Sequence, residues 1–307
     1  MVASQRRVPF LSVLRRALLQ VEGEIRWHEP LAPHTSLQIG GPADVFVIPS
    51  DVEDVIRVVQ GARMSRIPLM VLGGTNVVIR DKGIRGIVMQ LKQLTEIREE
   101  PNQLVYSQAG VRLPRLMQFA LGRKLSGMEW AAGVPGTVGG GVAMNAGTRL
   151  GEMQDILQAI DFVTLHGIRK RIEASTVSFL YRKTMLPKGI VVGAWMQLTS
   201  AAKDTIQSAT KQYLQYRKST QPLTLPNAGS VFKNPSGDSA GRLIEVTGLK
   251  GLRVGDAEVS TKHANFIVNR GAATADQVLR LVRKVQDSVA IKFGVALQLE
   301  WKVVGER

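Results

Sequence analysis

Residues 133–147 read Gly133-Val134-Pro135-Gly136-Thr137-Val138-Gly139-Gly140-Gly141-Val142-Ala143-Met144-Asn145-Ala146-Gly147, with six glycines among small or apolar neighbours. A segment so poor in side chains lets backbone press closely against something. The candidates are another stretch of backbone or the pyrophosphate of a cofactor. The repeats are too few for low complexity.

Strand and helix signals alternate before this segment. Residues 10–25 carry Leu11, Leu14, Leu18, Leu19 and Val21 at helical spacing. Residues 43–48 read as a strand, and Asp51 is placed to cap a helix through Gly61, with Glu53 and Asp54 in its first turn. Residues 69–72 read as a short buried strand closed by Gly73-Gly74, and residues 86–91 as another. After the glycine-rich segment, strands are expected near 159–165 and 190–198, then a helix over 202–217 ahead of Pro222 and Pro226. Helices over 241–247 and 275–293 and strands over 263–269 and 295–304 complete the chain. The length of 307 residues suggests about two domains.

Three shorter stretches can carry chemistry. Leu72-Gly73-Gly74-Thr75-Asn76 follows a strand with two glycines, a hydroxyl and an amide. It is either a tight turn or a place where backbone N–H groups approach a phosphate, and it matches neither the P-loop nor the dinucleotide fingerprint. Residues 226–235 set Ser230 after Gly229 and ahead of Val231-Phe232-Lys233. Ser230 can be a nucleophile, a proton donor, a phosphate clamp or an ordinary turn serine, but there is no Gly-x-Ser-x-Gly elbow. In the last stretch Val295, Leu297, Leu299, Trp301 and Val303 alternate with Ala296, Gln298, Glu300 and Lys302, which puts Glu300 on a polar face.

Composition removes several classes of function. The chain has no cysteine, which excludes disulfides, thiolate nucleophiles and cysteine-based metal sites. His28, His34, His166 and His263 lie far apart with no ligand spacing, so no metal site is expected. The net charge of +15 favours anionic ligands. The basic residues are scattered, however, and aromatics make up only 5%, so nucleic acid is not the expected partner. No apolar run reaches the roughly 18 residues a membrane helix needs. The start, Gln5-Arg6-Arg7 then Val8-Pro9-Phe10-Leu11, is faintly signal-like. Arg15 and Arg16 interrupt it and no cleavage site follows, so an amphipathic helix is expected.

Taken in order, the motifs resemble one family. They are residues 34–41 (His34-Thr35-Ser36-Leu37-Gln38-Ile39-Gly40-Gly41), 71–76 and 132–147, then Tyr181-Arg182-Lys183-Thr184. Residues 227–235, Gly248-Leu249-Lys250-Gly251, residues 260–269 and Leu299-Glu300 follow. Their order and spacing, covering nearly the whole chain from His34, resemble the UDP-N-acetylenolpyruvoylglucosamine reductases (UDP-N-acetylmuramate dehydrogenases), and the short stretch between Arg182 and Ser230 resembles the compact subgroup.

The resemblance implies an α+β fold: an FAD-binding module of the vanillyl-alcohol-oxidase (PCMH) type, not a Rossmann domain, followed by a smaller α+β substrate-binding domain. On that basis residues 1–33 form an N-terminal helical segment, 34–200 the FAD-binding domain and 201–307 the substrate-binding domain. It implies reduction of an enolpyruvyl UDP-sugar by NADPH through FAD, in peptidoglycan precursor synthesis, by a cytoplasmic monomer. Arg182, Ser230 and Glu300 are the catalytic positions it implies. Gly73, Gly74, Thr75, Asn76, Gly133, Gly136, Thr137, Gly139, Gly140 and Asn145 are assigned to the cofactor. Tyr181, Asn227, Lys233, Asn234, Lys262 and His263 are assigned to substrate. The first glycine loop is one residue shorter than the family's usual Gly-x-Gly-Ser-Asn, with Thr75 for serine, and Thr184 stands where serine is usual. Other flavoenzymes of this fold class oxidise alcohols or sugars and often hold flavin covalently through His or Cys. This chain has no Cys and no His near Gly133, so noncovalent FAD is expected.

Overall fold

The computed structural model describes the backbone over residues 7–307 and side chains from residue 12 onward. The basic start at Gln5 and Arg6 lies outside the described residues. The first helix is Arg7–Ala17, and the chain then turns into the strand Glu24–Trp27. Ile25, expected in the helix, is therefore in a strand. It pairs with Val47 of the strand Ala43–Ile48.

Two compact units are present, each assembled from separated segments. One comprises the described residues up to Trp27, Asp44–Gly73 and Gly86–Leu214; the other comprises His28–Ala43, Gly74–Arg85 and Gln215–Arg307. This differs from the contiguous cuts expected at 33 and 200. The N-terminal helix belongs to the first unit. Residues 74–85 belong to the second because their strand, Val77–Ile79, pairs in parallel with Lys302–Val304 at the far end of the chain. The changeover falls within the helix Lys203–Thr220, not before it.

In the first unit, a four-stranded sheet has the order Glu24–Trp27, Ala43–Ile48, Ile84–Met89, Leu69–Val71. The last of these is an edge strand and only half-buried, with Val71 exposed, whereas the sequence suggested a buried strand. An edge strand has a neighbour on one side only, so apolar character alone does not bury it. Helix Val52–Met64 is capped as expected, with Asp51 Oδ1 accepting from the Asp54 N–H at 2.8 Å. Gly61 stays small because a Cβ there would lie 1.9 Å from the Ala17 carbonyl oxygen.

A second, antiparallel sheet has the order Arg169–Glu173, Leu157–Thr164, Gly189–Gln197, Leu104–Gln108, Ile97–Glu100. Asp161 is buried within it. It accepts a bond from Tyr106 Oη at 2.9 Å and two from Arg169, at 2.9 and 2.7 Å. Burial, then the Asp161 charge, pushes the Tyr106 phenol up. The hydrogen bond to Asp161 raises Arg169 above its ordinary value. Each charge here is answered by the protein itself.

The second unit has one long helix, Ala275–Phe293, packed against a three-stranded antiparallel sheet, Arg253–Val254, Ala257–Val259 and Ile267–Asn269. Thr274 and Gln277 form a capping box at its start, and Gly294 ends it at φ 69°. Val278, Leu281, Val282, Val285 and Val289 form its buried stripe. Each contributes roughly 1.5–3 kcal/mol of burial. Asp81 accepts from the Ala275 and Asp276 N–H groups at 2.8 and 2.9 Å, which pins the 74–85 segment to the helix start.

Two expected strands shrink. Only Ile267–Asn269 of 263–269 and only Lys302–Val304 of 295–304 are strand. Residues 295–303 still alternate, with Leu297 and Trp301 buried and Ala296, Gln298 and Lys302 exposed. Alternation survives because it needs extended backbone, not a continuous partner.

Candidate active site

The glycines of residues 133–147 separate by physical cause. Gly133 and Gly136 have φ of 67° and 122°, so backbone conformation demands glycine. Gly139 is demanded by packing, since its Cβ would lie 2.8 Å from the Ala109 Cβ. Gly147 is too, its Cβ falling 2.3 Å from that of Glu152. Gly140 has neither reason. A Cβ there would meet only Thr137 Oγ1, at 3.7 Å. Gly73, in the same unit, has nothing within 4 Å of the Cβ position and no left-handed φ. A glycine that neither fold nor conformation requires leaves open backbone for something to lie against. Within the two glycine-rich stretches, Gly73 and Gly140 are the positions left open in this way.

Thr137 begins the helix Val138–Met144, and its hydroxyl accepts from the Gly140 N–H at 3.4 Å. Asn145 ends the helix in the left-handed region, at φ 45°. Its side chain accepts from the Gln154 N–H at 3.0 Å and donates to the Leu180 carbonyl at 3.5 Å. Asn145, expected at the cofactor, thus ties the glycine-rich segment to the next element of the site. The Thr184 hydroxyl, donating to the Val142 carbonyl, adds a second tie.

That next element is a hairpin. Strands Phe179–Leu180 and Lys183–Thr184 pair with Leu180 opposite Lys183, so Tyr181-Arg182 is its two-residue tip. Arg182 sits at φ 59°, a left-handed conformation that costs a non-glycine residue energy. Its guanidinium lies 4.9 Å from the centre of the Tyr181 ring.

The second unit builds its part around Ser230. Gly229, at φ 76°, turns the chain into Ser230. Asn265 then clamps the following residue. Its Oδ1 accepts from the Phe232 N–H at 2.9 Å and its Nδ2 donates to the Phe232 carbonyl at 2.8 Å. The Val231 N–H adds a bond to the Asn265 carbonyl at 2.9 Å. Asn265 was not singled out as a site residue, although it lies inside the 260–269 motif. The C-terminal segment pairs on the other edge. The Lys233 N–H donates to the Gln298 carbonyl, and the Glu300 N–H to the Val231 carbonyl, each at 2.9 Å. The extended segment that follows Ser230 therefore lies against the one that ends in Glu300, joined at the isolated Phe232–Leu299 bridge.

Gly74, Thr75 and Asn76 also belong to this unit. Gly74 has φ 82°, and its Cβ would come 2.3 Å from the His34 carbonyl oxygen, so it serves packing against residues 34–36. Thr75 is half-buried. Asn76, grouped with the cofactor from sequence, donates its side-chain amide to the Glu300 carbonyl at 3.1 Å.

The residues assigned to substrate have varied surroundings. Asn227 donates to the Pro222 and Leu225 carbonyls and accepts from the Gly229 N–H, so its amide shapes the loop. Asn234 Oδ1 accepts from the Ala240 N–H, ahead of the helix Ala240–Val246. Lys262 donates to the Lys218 carbonyl. His263 Nδ1 accepts from the Asn265 N–H at 3.2 Å, which places the proton of the neutral ring on Nε2. Burial first, and nearby Lys250 second, lower its pKa, so the ring is neutral at pH 7. It can donate a hydrogen bond to a ligand but adds no charge. Lys233 keeps a half-buried side chain beside this loop.

Among the described residues no group of three His, Asp or Glu could hold a metal ion. No helix among them is long and apolar enough to cross a membrane.

Comparison with known proteins gives two matched regions, the first of which includes the 74–85 segment that folds with the second unit. A family model described as an FAD binding domain matches residues 43–173. The model for the UDP-N-acetylenolpyruvoylglucosamine reductase C-terminal domain matches residues 221–304. A UDP-N-acetylenolpyruvoylglucosamine reductase from Desulforamulus reducens is 45% identical over 290 residues, covering 93% of this chain and 95% of that protein. One from Listeria monocytogenes is 42% identical over 285 residues, covering 92% and 95%. The crystal structure of the UDP-N-acetylenolpyruvylglucosamine reductase from Thermus caldophilus superposes with a TM-score of 0.79 at 38% identity, over 92% of this chain and 98% of that one. With an FAD-binding half, a matched C-terminal domain and relatives aligned over nearly their full length, the chain belongs to the UDP-N-acetylenolpyruvoylglucosamine reductase family.

Proposed function

We propose that this protein reduces the enolpyruvyl group of UDP-N-acetylenolpyruvoylglucosamine to give UDP-N-acetylmuramate, using noncovalent FAD and NADPH, as a cytoplasmic monomer. Within the fold, the observation that most supports this reading is the backbone pairing of residues 231–233 with 298–300, which bonds the residue after Ser230 to Glu300. FAD, when bound, supplies the hydride chemistry, drawing on NADPH. The open backbone at Gly73 and Gly140 would hold its pyrophosphate. Gly133, Gly136 and Gly139 shape that cradle.

The chain's own residues manage charge and protons. Hydride addition to the terminal carbon of the enol ether places negative charge on the conjugated carboxylate. Arg182, a planar donor that stays protonated, stabilises it. Ser230 delivers a proton to the adjacent carbon, and Lys233, three residues on, helps to resupply it. Glu300 orients this exchange or, once protonated against substrate, donates a hydrogen bond. Tyr181, Lys262 and His263 contact the UDP-sugar, while Asn227 and Asn234 shape the loop that carries Ser230. A basic chain of net charge +15 suits three anionic ligands.

The test uses the purified protein. It should be yellow, release its flavin on acid precipitation, and oxidise NADPH only when the enolpyruvyl UDP-sugar is present. Colour retained in the pellet would overturn noncovalent binding. NADPH oxidation indifferent to that substrate would overturn the assigned reaction.

A further inference from the structure

The C-terminal segment changes partner at Glu300. Up to that residue it runs antiparallel to 231–233, through the Phe232–Leu299 bridge. From Lys302 onward it runs parallel to Val77–Ile79. At such a changeover a regular ladder would leave a peptide group without a strand partner. Asn76 sits at this point. Its own carbonyl accepts from the Lys302 N–H at 3.1 Å, which is the first rung of the parallel ladder. Its side-chain amide donates to the Glu300 carbonyl at 3.1 Å. The Glu300 N–H is meanwhile bonded to Val231. Both polar groups of the Glu300 backbone are thus held, one by Val231, next to Ser230, and one by a side chain from 224 residues earlier.

We propose that Asn76 is a positioning residue for Glu300: its amide fixes the backbone from which the Glu300 carboxyl reaches the reacting substrate. This rests on the catalytic assignment of Glu300 above. It moves Asn76 from the cofactor to the substrate half of the reaction. The segment around Asn76 is itself rigid, since Asp81 caps the long helix on one side and the Ser36 N–H bonds the Gly74 carbonyl at 2.8 Å on the other. A side chain projecting from so firm a base can set a geometry rather than follow it.

The experiment is an anaerobic stopped-flow comparison of flavin-loaded wild type, Asn76→Ala, Glu300→Gln and the double variant. Asn76→Asp, which keeps the size but loses the donor, stands in if the alanine variant does not load flavin. Flavin reduction by NADPH should persist in Asn76→Ala. Reoxidation by the enolpyruvyl substrate should fall on the order of tenfold. The double variant should be no slower than Glu300→Gln alone, because both changes act on one unit. Amide exchange over 298–303, read by mass spectrometry without turnover, should speed up on the order of tenfold in Asn76→Ala. Additive losses, equal slowing of both half-reactions, or loss of flavin in both Asn76 variants with unchanged exchange would each overturn the proposal. If Glu300→Gln itself reoxidised at the wild-type rate, the catalytic assignment of Glu300 would fall, and the positioning role with it. A slow Glu300→Gln beside a normal Asn76→Ala would remove only the positioning role.

Discussion

On the five-stranded sheet the carboxylate of Asp161 is bonded by Tyr106 and doubly by Arg169, whereas in the second unit it is the backbone of Glu300 that Val231 and Asn76 hold. The first arrangement engages the functional group; the second anchors the residue that carries one. A carboxylate saturated by fixed donors stabilises the fold and has little left to offer a ligand. An anchored backbone sets the point from which the Glu300 side chain starts. The glycines divide the same way. Gly139 and Gly147 are filled against by the protein, while Gly73 and Gly140 face open space.

The strongest way to break this contrast is Ser230→Ala. Ser230 stands on the anchored side, so its loss should leave flavin content and reduction by NADPH intact. Reoxidation by substrate should slow roughly a hundredfold to ten-thousandfold, the usual worth of a positioned general acid. Rapid reoxidation of this variant in anaerobic stopped-flow would return Ser230 to the status of a turn residue.

Asp161→Asn probes the saturated side. It leaves Arg169 and Tyr106 facing a weaker partner in a buried site. The expected cost is about 2–3 kcal/mol of stability, below the figure for a fully buried pair because Arg169 is half in solvent. Both half-reactions should keep their rates at a temperature where the variant is folded. A selective loss of turnover, with an unchanged denaturant midpoint, would erase the distinction.

Paired glycine substitutions give the smallest and cleanest effect. Gly140→Ala should leave the flavin-free protein as stable as wild type, or up to about 1 kcal/mol more stable through helix propensity. Its flavin should bind on the order of tenfold more weakly, about 1.4 kcal/mol. Gly139→Ala must crowd Ala109 and should lose about 1–3 kcal/mol of stability in the flavin-free state. Thermal unfolding and flavin titration on both variants decide the matter. Equal behaviour of the two would mean that open space at Gly140 has no bearing on the cofactor.

Much of the local structure was legible beforehand. Asp51 with acidic residues behind it marked a helix start, and the apolar stripe over 275–293 marked a helix whose bounds match. Those signals are carried by residues one to four positions apart, so the chain's own neighbours settle them. Ser230 stood out through its glycine and its lysine. Asn76 was visible too, but grouped with the glycines beside it, because sequence shows adjacency and not contact. The role of Asn265 was hidden for the same reason: a side-chain amide that closes a peptide 33 residues away leaves no local trace. No element was expected between 97 and 122, where strands Ile97–Glu100 and Leu104–Gln108 and helix Leu113–Gly122 form. The charged Arg98, Glu99 and Glu100 mask the strand pattern there, and an edge strand facing solvent tolerates them.

By itself, then, the sequence determined the alternation that puts Leu297 and Trp301 inward, the helix caps, the glycine-rich stretch and the absence of thiol chemistry, all fixed by composition or by short-range geometry. Only the tertiary structure decided that residues 74–85 join the far end of the chain, that Glu300 stands where one strand partner gives way to another, and that Gly140 is open while Gly139 is not. Those outcomes depend on which distant backbone groups meet. Hydrogen-bond pairing and close packing select among such meetings only once the whole unit has folded.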